Sequence, residues 1–274
     1  MPSARRRWAT AITSHRQIAA AVLGSRASDI DIINADTDLT PYDTGTFAST
    51  GTVVAGQAVD LTAKALRQNI LEFAAQHTGT DPADWALESG YVSRGNQRIS
   101  LKDLHAAGEK AGHHFEAKRK AYLSPRTIAF NVHGIRLAVH RMTGEIRILQ
   151  SVHALDIGRL LNPMQCRGQT EGAIGMAVGW ALTEHFVHDD NGHVVNPTLR
   201  NYRIPAFADM PVNEIFFADV YDKIGPQGAK AQGESSINPV APAISNALAN
   251  ATGVRFAHLP FTADRIFDKL APKP

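Results

Sequence analysis

Hydrophobic positions along the chain follow helical spacing in several long segments and strand-like alternation in a few short ones. The clearest helix runs over 59–76, because its apolar residues recur every three or four positions on one face. Alternating residues at 134–140 and 145–150, separated by a short turn, predict a β-hairpin. The same patterns predict strands at 29–34 and 213–221, helices at 15–24, 100–104, 164–185, 240–250 and 263–270, and an exposed, turn-rich segment at 80–98.

The helix predicted over 164–185 carries glycines three or four positions apart, so that they share one helix face. Each glycine lowers helix stability by about 1 kcal/mol relative to alanine. Two explanations of the glycine face remain open. Either another segment packs closely against it, or a ligand approaches it closely. The glycines are Gly168, Gly172, Gly175 and Gly179.

Composition places the chain among folded proteins. Of its 274 residues, 44% are hydrophobic and 20% are charged, which excludes wholesale disorder. The net charge of +2 gives no general attraction to nucleic acid or to membranes, so neither is expected as a partner. The single cysteine, Cys166, excludes an internal disulfide and a cysteine-held iron–sulfur or zinc site, and it favours a cytoplasmic setting. No apolar run approaches the roughly 18 residues of a transmembrane helix.

Several common catalytic motifs are absent from the sequence, among them GxSxG, HExxH and a strand followed by GxGxxG. Three of the 12 histidines, His185, His188 and His193, flank a predicted turn and are expected to be solvated. Glu234 differs, because it is the single carboxylate in a glycine-rich segment, 225–235, that lies between a strand and a helix. Such loops often hold catalytic bases, but a surface or helix-capping carboxylate is the alternative. The Thr/Gly/Ser-rich stretch at 44–52 is either a ligand-binding turn before a helix or an ordinary loop.

Five segments carry motifs that occur in the same order along one known family. They read TPYDTGTFAS at 40–49, GQAV at 56–59, DIGRLLNP followed by GQTEGA within 156–173, NYRIP at 201–205 and GAKAQGE at 228–234. In this order they resemble the large, molybdopterin-binding subunit of the xanthine dehydrogenase/aldehyde oxidase family. Ala231 and Gln232 depart from the pattern, since the family has a glycine and an aliphatic residue there.

The resemblance implies an α+β fold in which mixed sheets are covered by packed helices. It further implies two molybdopterin-binding subdomains of the molybdenum hydroxylase large subunit, which we expect at 1–115 and 116–274 with the cofactor between them.

The implied reaction is the oxidative hydroxylation of an aldehyde or an N-heterocycle, with oxygen taken from water. Glu234 is then the general base. The molybdenum is held through the pterin rather than by protein ligands, with Ala48 near the metal. The residues implied to bind the cofactor are Thr46, Phe47, Ala48, Ser49, Thr52, Gln169 and Lys230.

The family's large subunit is longer than this chain and contains a GGxFGG loop that the sequence lacks. The chain therefore resembles the C-terminal part of such a subunit, and the N-terminal half is an expected partner. Iron–sulfur ([2Fe–2S]) and FAD groups are expected on partner subunits, because one cysteine cannot hold a cluster. The cytosine dinucleotide form of molybdopterin is expected. The alternative is a truncated, non-catalytic remnant or structural partner that cannot hold the cofactor.

Overall fold

The computed structural model describes residues 11–34, 36–40, 42, 45–122 and 126–271. It confirms the predicted α+β class, with helices and two three-stranded sheets in these residues. The chain divides into two compact units. The first comprises Met1–Ile128, Gly158–Asn162 and Tyr221–Ala231, and the second comprises Ala129–Ile157, Pro163–Val220 and Gln232–Pro274. The predicted subdomain limits at 1–115 and 116–274 stay a prediction.

Two helices open the first unit and pack against each other. They are α1 (Ala11–Leu23) and α2 (Gly56–Thr78), and α2 follows a π-helical turn at Gly51–Ala55. The helix predicted over 59–76 is confirmed and is a few residues longer at each end. It ends at Gly79, whose left-handed conformation lets its amide cap the last turn.

A small antiparallel sheet and one more helix complete the core of the first unit. The elements are β1 (Ala86–Glu88), β2 (Tyr91–Arg94), β3 (Gln97–Ser100) and α3 (Leu101–Ala111), and the strand order is β1-β2-β3. Trp85, Leu87 and Val92 are buried against α2. The prediction of an exposed, turn-rich segment at 80–98 is therefore wrong. The strand predicted at 29–34 is also absent from the described residues there, which run irregularly after a short 3₁₀ turn.

The second unit is built on a long hairpin with a third strand added in parallel. Strands β4 (Phe130–Val139) and β5 (Ile146–Asp156) pair antiparallel, and β6 (Asn213–Phe217) pairs parallel to β5. The predicted hairpin is confirmed, with both strands longer than the sequence pattern indicates. On the outer face of the sheet, Phe130, Val132 and Phe216 are 64%, 70% and 57% exposed.

Three helices accompany this sheet. They are α4 (Pro163–Leu182), α5 (Val240–Thr252) and α6 (Ala263–Leu270). The main apolar core joins Leu137 of β4 to Ile174 and Val178 of α4 and to Ile244 and Leu248 of α5. No helix among the described residues is both long enough and apolar enough to cross a membrane.

The inner face of the sheet changes from apolar to partly polar along its strands. Near the hairpin turn it carries residues such as Leu137, which pack in the apolar core. Towards the other end polar side chains appear on the inward face among apolar ones such as Leu155, which lies opposite Asn131. These polar side chains, which we call the inner polar layer, are Asn131, His133, Ser151, His153 and Asn213.

Two stacked imidazoles form the centre of this layer. The rings of His133 and His153 are 4.6 Å apart between centroids and inclined by 18°. Nε2 of His133 lies 2.9 Å from the Ser151 hydroxyl. Burial lowers the pKa of both histidines from 6.5 to about 4, and for His133 the neighbouring His153 lowers it further. Both rings are therefore neutral at pH 7.

We expect the chain to lose stability as the pH falls from 6.5 towards 4. The pKa of each histidine is lower in the folded state, so the unfolded chain binds more protons in this window. The cost at the acid end is on the order of a few kcal/mol for the pair. Urea unfolding curves at several pH values should show a flatter dependence when His133 and His153 are both replaced by glutamine. His188→Gln, at an exposed position, should leave the dependence unchanged; an equally steep dependence in the double variant would contradict the prediction.

Candidate functional site

The loop implied to bind the cofactor lies in the first unit, before the π-helical turn that leads into α2. Its residues Thr46, Phe47 and Ala48 are exposed, with Phe47 at 65%, and Ser49 is partly buried. Ala48 and Ser49 have left-handed φ values of 52° and 57°. Such a conformation costs a residue with a side chain on the order of 1–3 kcal/mol and occurs preferentially at functional sites.

Two hydrogen bonds hold the chain on the C-terminal side of this strained pair. The Thr50 hydroxyl donates to the Phe47 carbonyl oxygen at 2.8 Å. Nε2 of His15, from α1, lies 2.9 Å from the Gly51 carbonyl oxygen. Thr52 follows in the π-helical turn and is partly buried. The predicted loop residues are therefore presented at the surface by a turn that α1 fixes from behind.

Lys230 lies at the end of a segment, 221–231, that returns to the first unit. The Gln227 amide donates to Oδ1 of the buried Asp60 in α2 at 2.6 Å. Ala229 forms an antiparallel bridge with Gly158. A Cβ atom at Gly158 would lie 2.7 Å from the backbone nitrogen of Lys230. A glycine is required there, because φ is +71° as well. These contacts fix the backbone that positions Lys230, which is partly buried.

Gln232 holds the next segment, in the second unit, against α4. Its amide nitrogen donates to the Cys166 carbonyl oxygen at 2.7 Å and to the Thr170 hydroxyl at 2.9 Å. Thr170 is fully buried and donates in turn to the Cys166 carbonyl at 2.9 Å. The sequence gives Gln232 only as a departure from the family pattern. The structure shows that it clamps the segment 232–235 to the first turns of α4.

Gln169 and the segment that carries Glu234 are also brought together. The amide nitrogen of Gln169 donates to the Gly233 carbonyl oxygen at 3.3 Å. Glu234 is exposed and begins a 3₁₀ turn at Ser235–Ile237. Its side chain makes no capping hydrogen bond to that turn, and α5 begins six residues later with Pro239 as its N-cap. The helix-capping alternative for Glu234 is therefore not supported.

The histidines at 185, 188 and 193 are exposed, as predicted. Nδ1 of His193 lies 3.2 Å from an Asp189 carboxylate oxygen, which is a local pair at the turn. Within the part of the chain that the structure describes, no group of three or more His, Cys, Asp or Glu side chains could hold a metal ion.

Comparisons with known proteins agree with this geometry. A family model described as the molybdopterin cofactor-binding domain matches residues 11–211. The probable hypoxanthine oxidase XdhD of Escherichia coli (strain K12) is 34% identical over 258 residues, covering 93% of this chain and 27% of that protein. The putative xanthine dehydrogenase molybdenum-binding subunit XdhA of the same strain is 33% identical over 266 residues, covering 94% and 35%. The crystal structure of quinoline 2-oxidoreductase from Pseudomonas putida 86 gives a TM-score of 0.86 at 29% identity, covering 96% and 35%.

Most of the chain therefore matches a molybdopterin cofactor-binding domain. The chain belongs to the molybdopterin cofactor-binding family of the xanthine dehydrogenase/aldehyde oxidase type, as its motifs indicate. It spans about a third of the length of the relatives it matches.

The glycines of α4 separate into two kinds. A side chain at Gly179 would meet Glu184 Oε1 and would lie 2.7 Å from Pro205 Cδ. Side chains at Gly168 and Gly172 would meet nothing within 4 Å. Close packing therefore explains the C-terminal glycine, whereas the two glycines beside Gln169 leave an open strip on the helix.

We expect Gly172→Ala and Gly179→Ala to change stability in opposite directions. Alanine at 172 should raise the free energy of unfolding by up to about 1 kcal/mol, because it improves helix propensity without a clash. Alanine at 179 should lower it by about 1–3 kcal/mol, because it overpacks a closed contact. Denaturant midpoints of the two variants measure this, and a shift of the same sign in both would contradict the assignment.

Proposed function

We propose that the chain is the C-terminal part of a molybdenum hydroxylase large subunit. In this proposal it binds molybdenum–molybdopterin, in the cytosine dinucleotide form, and supplies Glu234 for the oxidative hydroxylation of an aldehyde or an N-heterocycle. The observation that carries the proposal is the hydrogen bond from Gln169 to Gly233. It joins the GQTEGA motif of α4 to the segment that presents Glu234, so two motifs implied by the family meet at one place.

The residues present fit a pterin on chemical grounds. Gly168 and Gly172 leave the surface of α4 open beside Gln169. The Gln169 amide has a second N–H and a carbonyl oxygen to offer to the ring edge of a pterin. In the first unit, Thr46 and Ser49 supply hydroxyl groups, and Ala48 adds little bulk to the loop. Lys230 and Thr52 are proposed for the same role with weaker support.

Glu234 performs the proton transfer in this proposal. The bound molybdenum centre supplies the two-electron oxidation while oxygen from water is added to the substrate carbon. The exposed Glu234 carboxylate accepts a proton at one of its oxygens as that carbon–oxygen bond forms. The Gln232 clamp fixes the backbone before Glu234, so the carboxylate is presented from a constrained turn.

Partner polypeptides are part of the same proposal. XdhA is named as a molybdenum-binding subunit, and this chain covers 35% of it. We propose that a polypeptide equivalent to the N-terminal half of such subunits completes the site, and that [2Fe–2S] and FAD subunits receive the electrons. A cytoplasmic location is proposed on the single cysteine. The exposed outer face of the sheet, with Phe130, Val132 and Phe216, supports a missing partner.

The alternative is a structural partner that folds without holding the cofactor. The exposure of Phe47, Thr46 and Ala48 favours it, since the described residues of the first unit leave the implied cofactor loop largely open. Molybdenum content separates the two cases once the complementary polypeptide is present.

We expect the chain alone to bind far less than stoichiometric molybdenum, because much of the proposed enclosure is supplied by another polypeptide. Elemental analysis of the purified chain measures this. Co-expression with the N-terminal part of a relative's subunit should raise the molybdenum content towards one atom per complex. Stoichiometric molybdenum in the isolated chain would contradict the expectation, and no gain on co-expression would favour the structural alternative.

We also expect the isolated chain to self-associate through the outer face of its second sheet. Burying exposed apolar side chains between molecules lowers the free energy. In the double variant Val132→Thr with Phe216→Ser, the sedimentation coefficient of the chain and its binding of an apolar dye should both be lower than in the wild type. A monomeric wild-type chain that binds no dye would count against this expectation.

In the molybdenum-loaded complex, we expect Glu234→Gln to lower turnover by about 10²–10⁴-fold. Glutamine keeps the shape of the side chain but cannot accept the proton. Molybdenum content and melting temperature should stay at wild-type values. Glu145→Gln, at an exposed position of the hairpin, is the matched control and should retain full turnover. A stable, metal-loaded Glu234→Gln variant with wild-type turnover per molybdenum would refute the base assignment.

A further inference from the structure

The inner polar layer of the second unit contains buried polar atoms that no described residue satisfies. His153 is fully buried, and neither of its ring nitrogens has a hydrogen-bond partner among the described residues. The same holds for Nδ1 of His133 and for the side-chain oxygens of Asn131 and Asn213. Buried polar groups are paired in the great majority of cases, so such a concentration on one sheet face requires an explanation.

A segment from outside the sheet adds another buried polar atom. The 3₁₀ turn at Ser235–Ile237 packs against β4 and α4, and its Ser236 is fully buried. The Ser236 hydroxyl also has no partner in the described part of the chain. It adds a sixth unsatisfied atom, from a turn that packs against β4.

We propose that the inner polar layer is a binding site for water, held among β4, β5, β6 and the Ser235–Ile237 turn. The unsatisfied atoms are His133 Nδ1, both His153 nitrogens, Asn131 Oδ1, Asn213 Oδ1 and Ser236 Oγ. A buried water makes about three hydrogen bonds, so these six atoms correspond to roughly two bound waters.

The mixture of donors and acceptors selects water over ions. Each neutral imidazole has one N–H and one lone-pair nitrogen, and the amide oxygens are acceptors. A cation would satisfy only the acceptors, and an anion only the donors, whereas water both donates and accepts. Rotating an amide by half a turn replaces its oxygen with an NH₂ group, which needs a partner equally. The preference for water over ions therefore does not depend on the orientation of the two amides.

This site goes beyond the proposed reaction, although it lies next to the segment that carries Glu234. The turn that Glu234 begins contributes Ser236 to the proposed hydrated layer, while its Ile237 packs against the apolar core. Neutral imidazoles are satisfied by water without a countercharge, which agrees with the absence of acidic side chains among the residues of the inner polar layer.

Magnetic relaxation dispersion of water oxygen-17 counts long-lived internal waters and tests the proposal directly. The full chain is used, held in a gel to slow its tumbling. We expect His153→Leu to contain about one long-lived water fewer than the wild type, because it removes two of the six atoms. His188→Leu, at an exposed position in the same unit, should contain the same number as the wild type. An equal count in the wild type and in His153→Leu would overturn the proposal.

A second variant keeps the test decisive if His153→Leu does not fold. Ser236→Ala removes one hydroxyl and little volume. If the layer is hydrated, the variant loses a water contact and its melting temperature falls. If the layer is dry, removal of an unsatisfied buried hydroxyl leaves the melting temperature unchanged or raises it, and that result would overturn the proposal. Neither measurement involves molybdenum, so failure here leaves the proposed function untouched.

Discussion

The attachment of the segment 232–235 to the beginning of α4 is the constraint on which the candidate site depends. Gln232 binds the Cys166 carbonyl and the Thr170 hydroxyl, and Gln169 binds the Gly233 carbonyl. A glycine-containing segment of this kind has high conformational entropy when it is free. Three side-chain hydrogen bonds to α4 reduce that freedom directly before Glu234, the proposed base. Helix α4 can serve as this support because Ile174 and Val178, further along it, are buried in the apolar core.

The same motif has a second anchor in the other unit. The chain passes from the first unit to the second after Ala231, inside the GAKAQGE segment. Before this point the Gly158–Ala229 bridge and the hydrogen bond from the Arg159 amide to the Gly228 carbonyl fix the backbone, and after it Gln232 does so. Each half of the motif is therefore held by its own unit.

Sequence patterns predict the parts of this structure in which periodicity is long. Helix α2 and the β4–β5 hairpin each extend over many residues, so their apolar spacing is unambiguous. The sequence pattern does not predict the antiparallel sheet β1–β3. Its strands are three or four residues long, which is too short for an alternation of apolar and polar residues to be recognised. The alternation at 29–34 gave a false strand, since no neighbouring strand pairs with those described residues. The inner polar layer could not be predicted, because only the strand register shows that His133 and His153 are opposite each other.

Motifs identify the residues of the candidate site, whereas the structure shows what holds them. Ala48 and Ser49 are strained, and strain persists only where the surroundings over-determine the backbone. Here the Thr50 hydroxyl and His15 of α1 supply part of that determination. Phe47, directly before the strained pair, is exposed instead of contributing to a core, although burying it would stabilise the chain by about 1.5–3 kcal/mol. Strain and apolar exposure in the same loop support the proposal that another polypeptide covers it.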